Sequence, residues 1–292
     1  MSGKAFAEYA ALVQRRLEDL CDVYLPENSN VCRAARYSLL SGGKRVRGVL
    51  VLAVCELLGG DLRAAADFAG AVEMLHCYSL IHDDLPCMDD DDFRRSRPSC
   101  HKRFGETSAL LAGDALLTTA FEVASSASVP AEACVRACRA LAKGAGAQGM
   151  IWGQELDLHF EHLAPAEEEL RLIHRNKTGA LINAAVQMGV AAAQGAPEDA
   201  LCLESYAFDL GLVFQIVDDV LDVTSTQEEL GKPIGSDQEN GKTTFVTLYG
   251  VEGAQGLAAQ VNQKACDALR GRYGSRADFL VSLAQSLLVR KN

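Results

Sequence analysis

Long apolar runs are missing from this chain. No apolar stretch in its 292 residues reaches the roughly 18 uncharged positions that a membrane span requires, so no transmembrane segment is expected. The opening Met-Ser-Gly-Lys-Ala-Phe-Ala-Glu-Tyr-Ala lacks the apolar core of a signal peptide and already carries Glu8, which reads as a cytoplasmic protein. Period-two alternation of β-branched residues is scarce, which argues against sheet. The prolines number only seven and all fall at plausible breaks. There is no Ser/Gly-rich linker, no shift in composition and no internal repeat beyond one duplicated aspartate pattern. The ten cysteines do not make a zinc site, because Cys134 and Cys138 are an i,i+4 pair with no His or second Cys pair at metal spacing. Cys55, Cys77, Cys134, Cys138 and Cys202 lie inside apolar helical patterns and read as free buried thiols. The net charge of −11 argues against nucleic-acid binding.

What is present is helix. Hydrophobic residues make up 49 % of the chain, with Ala and Leu dominant, so one all-α domain spanning 1–292 is expected. Phe6, Tyr9, Leu12, Val13, Leu17 and Leu20 form one apolar stripe and predict a helix through the first twenty residues. Further helices are predicted over roughly 30–40, 43–58, 63–84, 106–126, 130–143, 147–160, 166–190, 198–224, 243–250, 254–271 and 276–290. Pro130, Pro165 and Pro197 sit where a first helical position would fall. The segments 63–84 and 198–224 are apolar nearly all round, as suits helices in the middle of a bundle.

Both of those segments end in aspartates. The first closes on Asp83-Asp84-Leu-Pro-Cys-Met-Asp89-Asp90, the second on Asp218-Asp219-Val-Leu-Asp222. Burying a carboxylate costs several kcal/mol unless a cation meets it, so two such endings suggest a shared cationic partner. Hard oxygen donors at this density favour Mg²⁺ completed by water and substrate phosphates. On a helix Asp218 and Asp222 share a face one turn apart. Pro86 cannot continue its helix, so Asp89 must return towards Asp83 across a short bulge. An EF-hand loop needs alternating donors and a glycine turn, and neither is here.

Basic residues surround the aspartates. Arg94, Arg95 and Arg97 follow the first cluster, and upstream lies Ser-Gly-Gly-Lys44-Arg45-Val-Arg47-Gly. Glycines there let backbone N–H groups approach a phosphate, with Lys44 and Arg47 beside it. The spacing is not that of a Walker loop. Lys177-Thr178-Gly, Gly-Lys232-Pro and Gly-Lys242-Thr-Thr repeat the theme, and together these features point to an enzyme acting on diphosphates.

These motifs, together with Gly-Gln-Glu-Leu-Asp-Leu and Phe-Gln-Ile-Val-Asp-Asp-Val-Leu-Asp, resemble those of trans-polyprenyl diphosphate synthases, especially bacterial farnesyl diphosphate synthases. The match runs in order from about residue 38 to 250. The resemblance implies a helical bundle of the isoprenoid synthase type around a deep central cavity, with the two aspartate motifs facing each other. It implies Asp83, Asp84, Asp89, Asp218, Asp219 and Asp222 as ligands of Mg²⁺, usually three ions. Arg94, Lys177, Thr178, Gln215, Lys232 and Lys242 match residues around the allylic diphosphate, and Lys44, Arg47, His76 and Arg95 match the isopentenyl diphosphate pocket. Gln154 and Asp157 match a motif that supports the metals. A homodimer is implied as well.

The implied chemistry is ionisation of an allylic diphosphate, attack by the double bond of isopentenyl diphosphate, and proton loss to the departed diphosphate. Lys177, Thr178 and Gln215 would stabilise the cation through carbonyl or hydroxyl dipoles, and His76 would donate to the second diphosphate rather than act as a base. Charge supports the arrangement. Two diphosphates bring about −3 each, which the motif carboxylates increase and the metals and surrounding bases offset. Tyr78, five residues before Asp83, lies about 7.5 Å down the helix. An aromatic there, with the inserted Pro86-Cys87, is similar to the farnesyl pattern and predicts a fifteen-carbon product. Ser79 is small, so Tyr78 would form the floor alone. The alternatives are a geranylgeranyl diphosphate synthase, which shares every catalytic motif; a class I terpene cyclase, which needs no second diphosphate pocket; and a non-catalytic partner subunit, which would be expected to lose aspartates or bases. Arg290-Lys291 resembles a basic tail placed near the isopentenyl site in this family.

Overall fold

The structure is a computed structural model that describes residues 2–161, 163–225 and 242–290. It is all-α: among the described residues the only strands are β1 (Phe93–Arg94) and β2 (Arg97–Pro98), a two-residue antiparallel pair. The helices sort into two compact units.

The first unit comprises Gly3–Leu141 with Gln187–Gly195. It holds α1 (Ser2–Tyr24), α2 (Asn30–Leu39), α3 (Val46–Leu57), α4 (Leu62–Asp83), α5 (Cys100–Phe104), α6 (Glu106–Ser125) and most of α7 (Ala131–Ala145). The stripe on α1 is buried at Val13, Leu17 and Leu20, as its spacing predicts. Ser29 caps α2 by accepting from the Cys32 N–H at 3.1 Å, and Asp61 caps α4 by accepting from the Arg63 N–H at 2.9 Å. Helix α4 packs against both α3 and α6 and is buried almost all round, from Ala65 to Ile81. It stops at Asp83, three residues before Pro86, where the chain turns back.

The second unit comprises Ala142–Val186 and the chain from Ala196 on. Its helices are α8 (Met150–His159), α9 (Glu167–His174), α10 (Ala180–Ala192, which runs on into residues of the first unit), α11 (Pro197–Thr224), α12 (Phe245–Tyr273) and α13 (Asp278–Leu288). Pro197 opens α11 at its first turn, with Glu198 and Asp199 following, which suits the positive helix start. Pro130 and Pro165 instead stand just ahead of α7 and α9. Helix α11 packs along α12 over a core of Leu170, Ile216, Val220, Phe245, Ala254 and Ala258. The buried Tyr206 hydroxyl donates to Leu280 O at 2.9 Å and ties α11 to α13. By length and composition α11 alone among the described helices could cross a membrane; it is partly buried in this core and ends in three aspartates.

One departure from the expected elements bears on function. The predicted helix 166–190 is interrupted by a π-helical turn at Arg175–Gly179, the segment that carries Lys177 and Thr178. The predicted helices 243–250 and 254–271 correspond to the two parts of α12, which are separated by the non-helical Gly250 (φ 68°, ψ 170°).

Candidate active site

In the first unit the aspartates sit where α4 ends. The Asp89 N–H donates to Asp83 O at 2.9 Å, closing the bulge across Pro86 and bringing the two residues together. Asp84 is 2 % exposed and accepts from Arg94, whose Nε lies 2.8 Å away and whose Nη2 makes a second, shorter contact. Burial pushes the Asp84 carboxyl up, against the pull of Arg94. Arg94 also reaches Asp91 at 3.0 Å.

Arg94 and Arg95 belong to a hairpin whose two loop residues, Arg95 and Ser96, both have positive φ (54° and 58°). That is the type I′ geometry, which normally selects Asn-Gly. Strain of this kind clusters at functional sites. Here the turn sends Arg94 to Asp84 and Arg95 to the glycine loop. The Arg95 guanidinium donates to Gly42 O and lies flat on Gly43, where a Cβ would fall 2.8 Å from its Cζ. Gly43 therefore makes room for an arginine.

Arg45 turns out to be structural. It is buried, left-handed (φ 53°), and donates to Gln14 Oε1 and to Leu39 O at 2.7 Å. Glu73 on α4 stands 3.7 Å from Arg45 and accepts the Gly48 N–H at 2.9 Å, so it anchors the start of α3. Arg47, two residues on, points to the cationic group instead. Its Nε, like Nδ1 of His76, is enclosed without a hydrogen-bond partner among the described residues. Burial lowers the pKa of Arg47, of Arg95 and, strongly, of His76; Arg47 and Arg95 add to the effect on His76. His76 is thus neutral near pH 7. Lys44 is exposed at the loop, and Tyr78 is 6 % exposed with its ring edge-on to His82 at 5.6 Å.

The second unit carries a cavity of about 200 Å³ lined by Asp157, His174, Lys177, Gln215, Asp218, Asp219 and Lys242, among others. Asp157 pairs with Lys177 at 2.5 Å and with Lys242 at 3.7 Å. Burial would raise its pKa, but the two lysines outweigh that and hold it below the usual carboxylate range. The π-helical turn brings Lys177 against α8, and only glycine fits at 153, where a Cβ would lie 2.0 Å from Lys177 N. Thr178 follows on the same turn. Asp218 accepts from Arg290 at 2.8 Å, Asp219 accepts the Phe245 N–H at 2.8 Å, and Asp222 is 2 % exposed. Gln154 lies on α8 with Asp157. Lys232 and Lys291 lie outside the described residues.

Among the described residues no three carboxylate, imidazole or thiol groups are already gathered as a metal cage. Asp84 and Asp218 are instead engaged by Arg94 and Arg290. Two residues with evident parts in the site escaped the sequence reading. Glu73 looked like one polar position in an apolar helix. His174 lies in a stretch read only as part of the helix over 166–190, and its one signal was the spacing of three to Lys177.

Residues 28–270 match the polyprenyl synthetase family. Similar proteins include a putative geranylgeranyl pyrophosphate synthase 8, chloroplastic, of Arabidopsis thaliana, 47 % identical over 94 % of this chain and 78 % of that protein. Another is a chloroplastic geranylgeranyl pyrophosphate synthase of Capsicum annuum, 44 % identical over 98 % of this chain and 78 % of that protein. Among solved structures, the geranyltransferase of Helicobacter pylori complexed with magnesium and isoprenyl diphosphate superposes with a TM-score of 0.87 at 35 % identity, covering 99 % of each chain. An all-α fold with an aspartate-rich helix end and nearby basic residues in each unit suits a diphosphate-handling prenyltransferase. The chain belongs to the polyprenyl synthetase family, the trans-prenyl diphosphate synthases.

Proposed function

We propose that this prenyltransferase condenses isopentenyl diphosphate with dimethylallyl or geranyl diphosphate to give farnesyl diphosphate. The observation that carries the two-substrate reading is the cluster of Arg47, Arg95 and neutral His76, whose enclosed Arg47 Nε and His76 Nδ1 lack partners among the described residues. Unpaired buried nitrogens beside two guanidiniums suit an anion held in addition to the allylic one. Neutral His76 would donate a single N–H to that diphosphate, leaving its charge to Lys44, Arg47 and Arg95.

Asp83, Asp84, Asp89, Asp218, Asp219 and Asp222 would hold Mg²⁺. The donor set fits a hard cation: it is all oxygen, and at Asp84 and Asp218 arginines already engage the carboxylates. When bound, Mg²⁺ supplies charge compensation to the leaving diphosphate. Lys177 and Lys242 add positive charge at that diphosphate, and Asp157 keeps the pair close together. Thr178 and Gln215 stand near the developing cation. The allylic C–O bond breaks, the isopentenyl double bond forms the new C–C bond, and the departed diphosphate accepts the released proton.

A fifteen-carbon limit is supported by Tyr78, buried below Asp83 and set against His82. A twenty-carbon product is the second reading, favoured by relatives named as geranylgeranyl pyrophosphate synthases at 47–48 % identity. A homodimer is consistent with the adjacent exposed Leu110 and Leu111 on α6.

The test is incubation of purified protein with Mg²⁺, isopentenyl diphosphate and each allylic primer, followed by sizing of the products. Fifteen carbons are expected, and Tyr78→Ala should lengthen them to twenty or more. An unchanged profile would remove Tyr78 as the floor. Asp83→Ala or Asp218→Ala should abolish turnover even at saturating Mg²⁺; retained turnover contradicts the metal assignment.

A further inference from the structure

We propose that His174 is a positioning residue for Gln215, fixing how that amide is presented in the cavity of the second unit. The inference rests on the proposed part of Gln215 in the prenyl transfer. Nδ1 of His174 lies 3.1 Å from Gln215 Oε1. An amide oxygen only accepts, so Nδ1 carries the proton and donates. Nε2 is then a lone-pair acceptor, and it is enclosed without a partner among the described residues. Leaving a buried acceptor unpaired costs about 1–3 kcal/mol, so something must fix the ring in place.

Packing does so. The imidazole stacks on Phe245 (centroids 5.6 Å apart, planes at 28°), and the Phe245 N–H is bonded to Asp219 at 2.8 Å. His174 also stands at the last residue of α9, where the π-helical turn bearing Lys177 and Thr178 begins. Burial keeps the ring neutral, lowering its pKa to about 4. With Nδ1 committed to Gln215 and the neutral ring stacked on Phe245, the imidazole is set to orient Gln215 rather than to exchange a proton.

Two substitutions separate the hydrogen bond from the stack. His174→Phe keeps an aromatic ring against Phe245 and removes the donor. His174→Asn places its amide nitrogen near the position of Nδ1 and removes the ring. For a lost bond of about 1–1.5 kcal/mol, His174→Phe should lower kcat about tenfold with KM for either diphosphate changed less than about twofold. His174→Asn should recover most of the loss. In a Gln215→Leu background, His174→Phe should cause no further loss. An undiminished kcat in His174→Phe, or the same fold-loss in both backgrounds, overturns the proposal.

A long-range ¹H–¹⁵N spectrum gives a readout independent of turnover. It should show the His174 proton on Nδ1 in the parent protein and a mixture of tautomers in Gln215→Leu. A proton on Nε2 in the parent protein overturns the assignment. If the parent protein condenses none of the allylic primers, the proposed function fails, while the spectrum still decides the His174–Gln215 contact.

Discussion

Arg290 sits on a carboxylate that the proposed chemistry gives to a metal, so removing it should ease metal binding. Its Nη1 is 2.8 Å from Asp218 Oδ1, and its guanidinium lies 4.7 Å over the Phe214 ring. The Asp218 side chain is 38 % exposed against 20 % for Arg290, so water and salt screen the pair, and about 0.5–1 kcal/mol is the reasonable range for it. A cation recruited by Asp218 must displace that contact. At about 1.4 kcal/mol per tenfold, Arg290→Ala should lower the half-saturating Mg²⁺ concentration by about two- to fivefold. Titrating Mg²⁺ against thermal stability in the presence of inorganic pyrophosphate, and in parallel against turnover, measures this directly. Arg290→Lys should fall between, and added salt should narrow the gap. An unchanged or higher half-saturation in Arg290→Ala would refute the idea that this arginine competes with metal.

Two further outcomes are expected. Ser96→Gly should raise stability by about 0.5–1 kcal/mol, because glycine relieves a left-handed residue that costs roughly 1–2 kcal/mol, less its greater freedom when unfolded; thermal melting beside Ser96→Ala, which keeps the strain, reads the difference. The second concerns pH. Unfolded His174 takes up a proton near pH 6.5, but the folded ring not until about 4, so the unfolded chain binds more protons in between. Metal-free stability should therefore fall as pH drops across that window, and His174→Phe should fall less steeply; urea titrations at pH 7 and 5 compare them.

Much of this molecule was legible because its signals are repeated. The stripe from Phe6 to Leu20 and the all-round apolar character of α4 and α11 each give long, consistent evidence of helix, and the structure has those helices. Pro86 announced the bulge that returns Asp89 to Asp83. The hairpin at 93–98 was invisible because its turn uses Arg-Ser where the pattern for that geometry is Asn-Gly. The π-helical turn left no trace because it inserts into Arg-Asn-Lys-Thr-Gly, a polar run whose periodicity cannot register one extra residue. Arg45 and Arg47 look alike in the sequence, and their hydrogen bonds divide the strut, held by Gln14 and Leu39, from the pocket residue, whose Nε has no partner among the described residues. His174 belongs to no motif and is distinguished only by what folds around it.

The hairpin also limits how the site can be dissected. Arg94 and Arg95 are neighbours on a loop too short to flex at one residue without dragging the next, and they grip different objects: a helix-end carboxylate and a glycine backbone. Pulling the first arginine off Asp84 must tug the second across Gly43. Effects of substitution at these two positions will therefore not add, and a loss seen at either cannot be credited to one phosphate alone.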